Sequence, residues 1–173
     1  MPQKKGGPKM LFDLNSEESV LVVKTFLQGA RSGGKTIGLT SGCFDLIHFH
    51  HFSFFIRCRR YCDFLIVGVD SDELVRGAKG ASRPIVPDFH RAIMVDALRP
   101  VSFVFIMNSV VDFGRVAEIF TPEVIFKNDE FKGRENEIIG KEHAKRVIIL
   151  NDQVDHSSTT DIIRRVSKTT SPE

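Results

Sequence analysis

The chain has 173 residues, a formal net charge of +2, 42% hydrophobic residues and 27% charged residues, a balance typical of one soluble globular domain. The charge is too small to indicate nucleic-acid binding, no apolar run is long enough to span a bilayer, and the beginning MPQKKGGPKM lacks the apolar stretch of a secretory signal. Three cysteines, Cys43, Cys58 and Cys62, are too few for a disulfide scaffold and favour a reducing compartment, so we expect a cytoplasmic protein.

The predicted elements alternate between strands and helices. Residues 1–10 are rich in Gly, Pro and Lys and are predicted to be a flexible tail, as are residues 168–173, so that residues 11–167 form the domain. In chain order we expect a helix at 16–31, a strand at 36–40, helix 50–62, strand 64–69, helices 71–78 and 87–98, strand 102–107, helix 110–120, strands 123–126 and 146–150, and helix 157–166. Residues 128–145 are polar and weakly patterned, which predicts a loop with one helical turn.

Apolar spacing predicts which side of two helices faces the core. In the helix at 50–62 the residues expected to point inward are Phe54, Phe55, Cys58 and Cys62. In the helix at 87–98 the apolar face is expected to consist of Ile93, Met94 and Leu98.

The predicted strands are continuous apolar runs, which are typical of strands buried on both faces of a sheet. Such strands alternating with helices predict an α/β fold with a parallel sheet and helices on both faces. Polar clusters follow the strands at 42–51, 79–84, 127–131 and 156–160. Because ligands of such sheets bind at the carboxyl ends of the strands, the sequence predicts one site assembled from these loops.

The stretch GCFDLIHFHH places His48 and His51 where a strand leads into a helix. The free N–H groups and the dipole of a helix N-terminus favour an anion, and imidazoles there can donate hydrogen bonds to phosphate oxygens. A second helix start with hydroxyl groups lies at residues 157–160. The cations expected near the same strand ends are Lys79, Arg83, Arg91 and Lys127. Together these groups suit a triphosphate better than a neutral ligand.

Each of these features has a simpler interpretation. Hydroxyl residues before an apolar helical run usually act only as a helix cap, and a single basic residue in a loop is usually solvated. The H-x-H-H spacing of residues 48–51 could bind zinc, although no Cys or acidic partner stands at ligand spacing. The order of the clusters along the chain, rather than any one of them, favours a phosphate site.

Two stretches resemble the signatures of the cytidylyltransferase-like nucleotidyltransferases. GCFDLIHFHH is similar to G-x-F-D-x-x-H-x-G-H, and SSTTDIIRRV is similar to S-T-T-x-I-I-x-x-I. The resemblance runs from about Thr36 to Val166 and implies a Rossmann-like, doubly wound parallel sheet of about five strands. It also implies attack of a sugar-phosphate or alcohol-phosphate oxygen on the α-phosphate of a nucleoside triphosphate, with release of pyrophosphate and no covalent enzyme intermediate.

Two branches of that family compete. The stretch 79–84, KGASRP, followed by Arg91 and by the segment 126–129, FKND, is similar to the adenylyltransferase domain that acts on heptose 1-phosphate. The cytidylyltransferases for glycerol 3-phosphate, phosphoethanolamine and phosphocholine share the two main signatures, but they carry R-T-x-G where this chain has QVDH at 153–156. The resemblance therefore favours ATP and a sugar phosphate over CTP and an alcohol phosphate.

The resemblance also assigns roles to individual positions. It implies that His48 and His51 hold the phosphates and stabilise the transition state, that Lys79 neutralises phosphate charge, and that Arg83 contacts the acceptor substrate. The residues expected to bind the nucleotide are Gly42, Cys43 and Phe44 through their backbone, Asp45, Arg91, Lys127 and Asp129, and Ser158, Thr159 and Thr160 around the β- and γ-phosphates. Mg²⁺ is expected with the triphosphate, no residue is assigned as a metal ligand, and neither nucleic acid nor membrane is an expected partner. Proteins of this family often form homodimers, so a homodimer is one expected assembly.

His50 departs from the family signature, which has glycine at that place. Its side chain would crowd the phosphates, turn outward or add a contact of its own. A second hypothesis is therefore a relative that binds nucleotide without turnover. A third, a fragment related to class I aminoacyl-tRNA synthetases, is disfavoured because the chain is short and has no K-M-S-K-S-like run.

Overall fold

A computed structural model describes residues 10–151 and 159–170. Its elements are β1 (Met10–Leu11), α1 (Glu17–Ser32), β2 (Ile37–Gly42), α2 (Phe49–Cys58), β3 (Phe64–Asp70), α3 (Asp72–Lys79), α4 (Asp88–Ala97), β4 (Phe103–Met107), α5 (Val110–Phe120), β5 (Val124–Asn128), β6 (Arg146–Leu150) and α6 (Thr159–Thr170). Three single 3₁₀ turns, Asp129–Phe131, Glu135–Glu137 and Lys141–His143, lie between β5 and β6. None of the described helices is long and apolar enough to cross a bilayer.

The six strands form one sheet in the order β1-β4-β3-β2-β5-β6, and every neighbouring pair is parallel. The five predicted strands are all present, which confirms the predicted α/β class. The additional strand, β1, pairs with β4 through only two residues, Met10 and Leu11. Two residues are too few to show a period-two or apolar-run pattern, so a sequence cannot indicate such a strand.

Helices cover both faces of the sheet, as a doubly wound fold requires. On one face, α1 and α5 pack on the sheet through residues such as Leu27 and Phe113. On the other face, α2 and α4 pack through Phe55 and Val95. Because the chain moves from β2 to β3 over one face and from β4 to β5 over the other, β2 lies at the point where the winding reverses.

A crevice opens at this reversal point, between the carboxyl ends of β2 and β5. The two strands pair only at Gly38 with Val124 and at Leu39 with Ile125. Beyond these two residue pairs, the strands are joined by a side chain instead of backbone pairing. The hydroxyl of Thr40 in β2 donates to the carbonyl oxygen of Phe126 in β5 at 3.0 Å. Loops on both sides then diverge, which is where α/β sheets of this order bind their ligands.

The predicted inward face of α4 was wrong. Ile93 and Met94 are 46% and 55% exposed, whereas Arg91, Ala92 and Val95 are buried. The apolar residues of this helix occur on two of its faces. The face that packs on the sheet is the one that also carries the charged residue Arg91. Burial of Arg91 is tolerated because its guanidinium donates to three partners within the fold.

Three predicted boundaries also differ. The helix predicted at 50–62 ends at Cys58, and residues 59–62 form a turn that still buries Cys62. The predicted loop 128–145 contains three 3₁₀ turns rather than one helical turn. The last helix continues to Thr170, beyond its predicted end at residue 166. Helix ends are weakly encoded because a few tenths of a kcal/mol per residue separate the helix from the turn there.

Candidate active site

The loop between β2 and α2 is shaped by Phe44. This residue has a positive φ of 49°, and its buried ring packs on the rings of His51 and Phe55 at centroid distances of 5.4 and 5.1 Å. A Cβ added to Gly42 would lie 3.0 Å from the Phe44 ring. The glycine and the left-handed phenylalanine thus turn the chain sharply and place a rigid support behind His51.

His48 and His51 cap the N-terminus of α2 with their own rings. The backbone N–H of His50 donates to Nδ1 of His48 at 3.3 Å, and the backbone N–H of His48 donates to Nδ1 of His51 at 3.4 Å. Since each Nδ1 is an acceptor, each neutral ring carries its proton on Nε2. The ring centroids lie 4.1 Å apart, so one ring also fixes the orientation of the other.

Both imidazoles are held in the neutral form. Burial lowers the pKa of His51 to about 3, and the neighbouring charges of His48, Lys79 and His50 add to this effect. Burial likewise lowers the pKa of His48, with His50 as the second cause. The site therefore presents two Nε2–H donors at a helix N-terminus, which suits phosphate oxygens without an added charge on the rings.

His50 lies beside these two donors. It is half-buried, and the centroid of its ring lies 5.6 Å from that of His48 and 6.0 Å from that of Phe49. Its side chain is therefore not turned fully into solvent. Within residues 10–151 and 159–170, no group of three His, Cys, Asp or Glu side chains is placed to hold a metal ion, so the described structure gives no support to a zinc site at 48–51.

Asp45 lies behind this loop rather than in its mouth. Its carboxylate is fully buried and accepts hydrogen bonds from the backbone N–H groups of Ile85 and Val86 at 2.8 and 2.9 Å, and from Nε of Arg83. The carboxylate thus joins the loop after β2 to the loop after α3. The structure does not bring this predicted nucleotide-binding side chain to the surface of the site.

Arg91 makes a second connection behind the same loops. Its guanidinium donates to the carbonyl oxygens of Val86 and Cys43 and to the carboxylate of Asp72, and its side chain is 0% exposed. Cys43 itself is half-buried, and burial raises the pKa of its thiol. Arg91, like Asp45, is therefore placed as a support of the loop backbone, not as a group that faces the crevice.

Two further predicted cations lie at the end of α3 and in the loop that follows it. Lys79 ends α3 and is exposed, and its charge is close enough to contribute to the lowered pKa of His51. Arg83 is 9% exposed, and its Nη2 has no hydrogen-bond partner in the part of the chain that the structure describes. A buried guanidinium nitrogen without a partner is costly to the fold.

The α5 side of the crevice carries Lys127 at the end of β5. Its ammonium donates to Oγ of Ser41 at 2.9 Å and lies 4.1 and 5.1 Å from the ring centroids of Phe113 and Phe131. Burial lowers the pKa of Lys127 to about 8, and the negative charge of Asp70 opposes this effect. Sequence reasoning identified Lys127 but missed Ser41 and Asp70.

The remaining predicted residues lie around the same edge of the sheet. Asp129 begins the 3₁₀ turn after β5 and is half-buried, while Thr159 and Thr160 begin α6. Ser158 lies outside the described residues. A cleft of about 480 Å³ elsewhere in the molecule is lined by residues such as Asp13 and Phe89, and none of the predicted site residues lines it.

Comparisons with known proteins identify relatives of this chain. The profile of the family described as Cytidylyltransferase-like matches residues 39–165. The bifunctional protein HldE of a Nitratiruptor species is 37% identical over 133 residues, which are 77% of this chain and 28% of that protein. The bifunctional protein HldE of Campylobacter fetus subsp. fetus is 33% identical over 150 residues, which are 87% and 32% of the two proteins. The chain thus spans less than a third of these relatives.

Two solved structures share the fold. The lipopolysaccharide core biosynthesis protein from Thermoplasma volcanium matches with a TM-score of 0.55 and 21% identity, over 70% of this chain and 99% of that one. The pantothenate synthetase from Thermus thermophilus matches with a TM-score of 0.52 and 12% identity, over 82% and 62% of the two chains. The profile match, which includes the β2–α2 loop and the crevice, shows that this chain belongs to the cytidylyltransferase-like family of nucleotidyltransferases.

Proposed function

We propose that the protein transfers a nucleoside monophosphate from a nucleoside triphosphate to a sugar phosphate similar to heptose 1-phosphate, with release of pyrophosphate. The observation that carries this proposal is the pair of neutral Nε2–H donors of His48 and His51 at the N-terminus of α2. Their place at the reversal point of the sheet, within a family of nucleotidyltransferases, supports a phosphate-transfer role.

In the proposed reaction an oxygen of the acceptor phosphate forms a bond to the α-phosphorus as the bond from that phosphorus to the bridging oxygen breaks. Pyrophosphate leaves with the electron pair. His48 and His51 donate hydrogen bonds to the oxygens on which charge develops, and Lys79 neutralises part of it. Mg²⁺ would be bound mainly by the triphosphate and would screen its charge, as is usual for this ion. Thr159 and Thr160, together with Ser158, are proposed to contact the outer phosphates.

The buried network of Asp45 and Arg91 supports this chemistry indirectly. Both side chains hold backbone atoms of the two loops that form the rim of the crevice. A rim with fixed backbone keeps the imidazole donors in place before substrate arrives, which lowers the reorganisation needed in the transition state. We therefore assign these two residues a positioning role.

Specificity for ATP and for a heptose-like phosphate is part of the proposal. It is supported by KGASRP at 79–84, by the segment 126–129 and by the HldE relatives. We also propose a cytoplasmic location, since nucleoside triphosphates and sugar phosphates are made there. A homodimer stays a prediction that light scattering of the purified protein would test.

The direct test is pyrophosphate release by the purified protein with magnesium, with ATP and CTP each combined with heptose 1-phosphate, glycerol 3-phosphate and phosphoethanolamine. We expect release with ATP and heptose 1-phosphate. Release only with CTP and an alcohol phosphate would instead identify the cytidylyltransferase branch. No release, and no rise of the melting temperature with either nucleotide, would contradict a nucleotide site altogether.

A second candidate function is nucleotide binding without turnover. The observation that favours it is the half-buried ring of His50 beside His48, where the family signature has glycine. Exchange of His50 for glycine separates the two functions. An increase in turnover of tenfold or more in His50→Gly would identify a site that His50 obstructs, whereas comparable turnover in both proteins would show that the histidine is compatible with the reaction.

A further inference from the structure

Asp70 ends β3 at the edge of the crevice, on the side away from the histidines. Side chains alternate along a strand, and Ile66 and Gly68 of β3 face the layer that contains α1 and α5. Asp70 therefore lies on that same side. Lys127 is on this side too, because its ammonium lies over the ring of Phe113 in α5. The acid and the base come from two strands that flank β2.

The carboxylate of Asp70 has no hydrogen-bond or ion-pair partner among the described residues. Its side chain is half-buried at the end of β3. Burial raises the pKa of Asp70 above its ordinary value, and only the more distant charges of Lys127, Arg91 and Lys79 oppose this. Partial burial of a carboxylate without a protein donor has a cost to the fold, and a ligand hydroxyl group bound there would supply the missing hydrogen bond.

Other acidic side chains of the same region differ from Asp70 in this respect. Asp45 and Asp72 accept hydrogen bonds from buried groups, and Asp88 and Asp112 accept them from backbone N–H groups at helix starts. Each of these four residues therefore has a role in the fold. Asp70 has no such role among the described residues, and it lies at the carboxyl end of β3.

Lys127 supplies a hydrogen-bond donor near the acceptor Asp70, but the two side chains do not bond to each other. Its ammonium is held by Ser41 and by the rings of Phe113 and Phe131, and it forms no ion pair with Asp70 in the described structure. A ligand with a phosphate group and neighbouring hydroxyl groups could contact both. The phosphate would meet Lys127, and the hydroxyl groups would donate to Asp70.

We propose that Asp70 determines acceptor specificity: its carboxylate accepts hydrogen bonds from hydroxyl groups of the acceptor while Lys127 contacts the acceptor phosphate on the α5 side of the crevice. This inference rests on the proposed function. It names the residue that would distinguish a polyhydroxylated phosphate from other phosphates.

An acceptor with an ammonium group fits this site less well. An ammonium group beside Asp70 would also lie near the positive charges of Lys127, Arg91 and Lys79, and their repulsion opposes the attraction of the carboxylate. The aromatic pair Phe113 and Phe131, which could otherwise attract a quaternary ammonium, is already occupied by the ammonium of Lys127. Hydroxyl groups carry no such penalty.

The test compares Asp70→Asn with the wild-type protein and with Glu73→Gln, an exposed control on α3. Calorimetry measures binding of heptose 1-phosphate in the presence of magnesium and the α,β-methylene analogue of ATP, which prevents turnover. We expect Asp70→Asn to weaken heptose 1-phosphate binding about tenfold, which is the usual loss for a hydrogen bond to a charged group, and to change analogue binding less than about twofold. The melting temperature should stay equal or rise slightly, because the negative charge that is removed is half-buried and has no partner among the described residues.

Several outcomes would overturn the inference. These are unchanged heptose 1-phosphate binding in Asp70→Asn, an equal loss of nucleotide analogue binding, or tighter wild-type binding of phosphoethanolamine than of heptose 1-phosphate. If the wild-type protein binds the analogue but no hydroxylated phosphate, the inference fails while the nucleotide site stands. If it binds no nucleotide, the proposed function fails, and heptose 1-phosphate titrated alone still decides: weaker binding in Asp70→Asn supports the role of Asp70, and equal binding rejects it.

Discussion

The crevice has two walls that are built in different ways. The wall at α2 consists of His48 and His51, three residues apart, and their Nδ1 atoms are bonded to backbone N–H groups of the same turn. The wall at α5 combines Ser41, Asp70 and Lys127, which come from three strands and meet only in the folded sheet. One wall is assembled by local geometry, and the other by the topology of the sheet.

The two walls also differ in how far their polar groups are satisfied. The histidines are neutral, and their orientation is fixed by capping and by the Phe44 ring before any ligand binds. Asp70 keeps a half-buried carboxylate without a hydrogen-bond partner among the described residues, and burial lowers the pKa of Lys127. A wall that must hold a transition state works best when its donors are already ordered, whereas a wall that selects a substrate keeps groups that only the right ligand satisfies.

The largest expected effect is on the histidine wall. His51→Ala removes one Nε2–H donor and should lower kcat by about 100-fold to 1,000-fold, as loss of a transition-state donor usually does. Steady-state rates of pyrophosphate release give the value, and His90→Ala, which changes an exposed histidine of α4, serves as the control. A loss below fivefold would show that His51 is not a transition-state donor.

The second largest effect is expected from removal of Asp45, the buried carboxylate behind the histidine wall. Asp45→Ala leaves Arg83 without its buried partner and frees two backbone N–H groups, so the free energy of unfolding should fall by about 3 kcal/mol. Urea denaturation measures this. Glu137→Ala, which breaks an exposed ion pair with Arg134, should have little effect. Equal stabilities of the two variants would mean that the Asp45 network does not hold the rim.

A smaller effect is expected from crowding the turn before α2. Gly42→Ala places a Cβ 3.0 Å from the Phe44 ring and should destabilise the fold by about 1–2 kcal/mol. The displaced ring should also reduce turnover, because it supports His51. Gly29→Ala in α1 is the matched control, since a Cβ there meets no atom and should stabilise the helix by about 0.5–1 kcal/mol. Thermal denaturation measures the stability of both variants. A Gly42→Ala protein that is as stable and as active as the wild type would contradict this prediction.

The smallest effect concerns the pH response of the α5 wall. Because the pKa of Lys127 in the folded protein is about 8, its ammonium loses its charge as pH rises through that value, and acceptor KM should rise a few-fold between pH 7 and pH 9.5. Lys127→Arg keeps its charge over this range, so its acceptor KM should stay constant. The same rise in both proteins would assign the titration to another group.

Lys127 also determines the direction in which the stability of the folded protein changes with pH. The unfolded chain binds a proton at Lys127 up to its ordinary pKa of 10.5, whereas the folded protein releases it near pH 8. The unfolded state therefore binds more protons between these values, and this group makes the folded protein more stable as pH rises from about 8 to 10.5. Urea midpoints of the wild type relative to Lys127→Arg across this range measure the effect.

Several parts of the molecule could be predicted because their information lies in short stretches. The apolar runs at 64–69 and 102–107 predict buried parallel strands, and the residues around His48 predict a helix start that suits phosphate. The family profile confirms the resemblance that GCFDLIHFHH carries. In each case the decisive contacts span only a few residues.

What only the tertiary structure decided depends on contacts between distant parts of the chain. The sequence did not indicate the strand β1, the inward face of α4 or the burial of Arg91, whose partners are residues 43, 72 and 86. Asp70 looks in the sequence like the polar end of a strand, and only the sheet order brings it to the side of the crevice that holds Lys127. Local propensities are set by neighbours a few residues away, whereas burial and charge are set by whichever strands the fold places side by side.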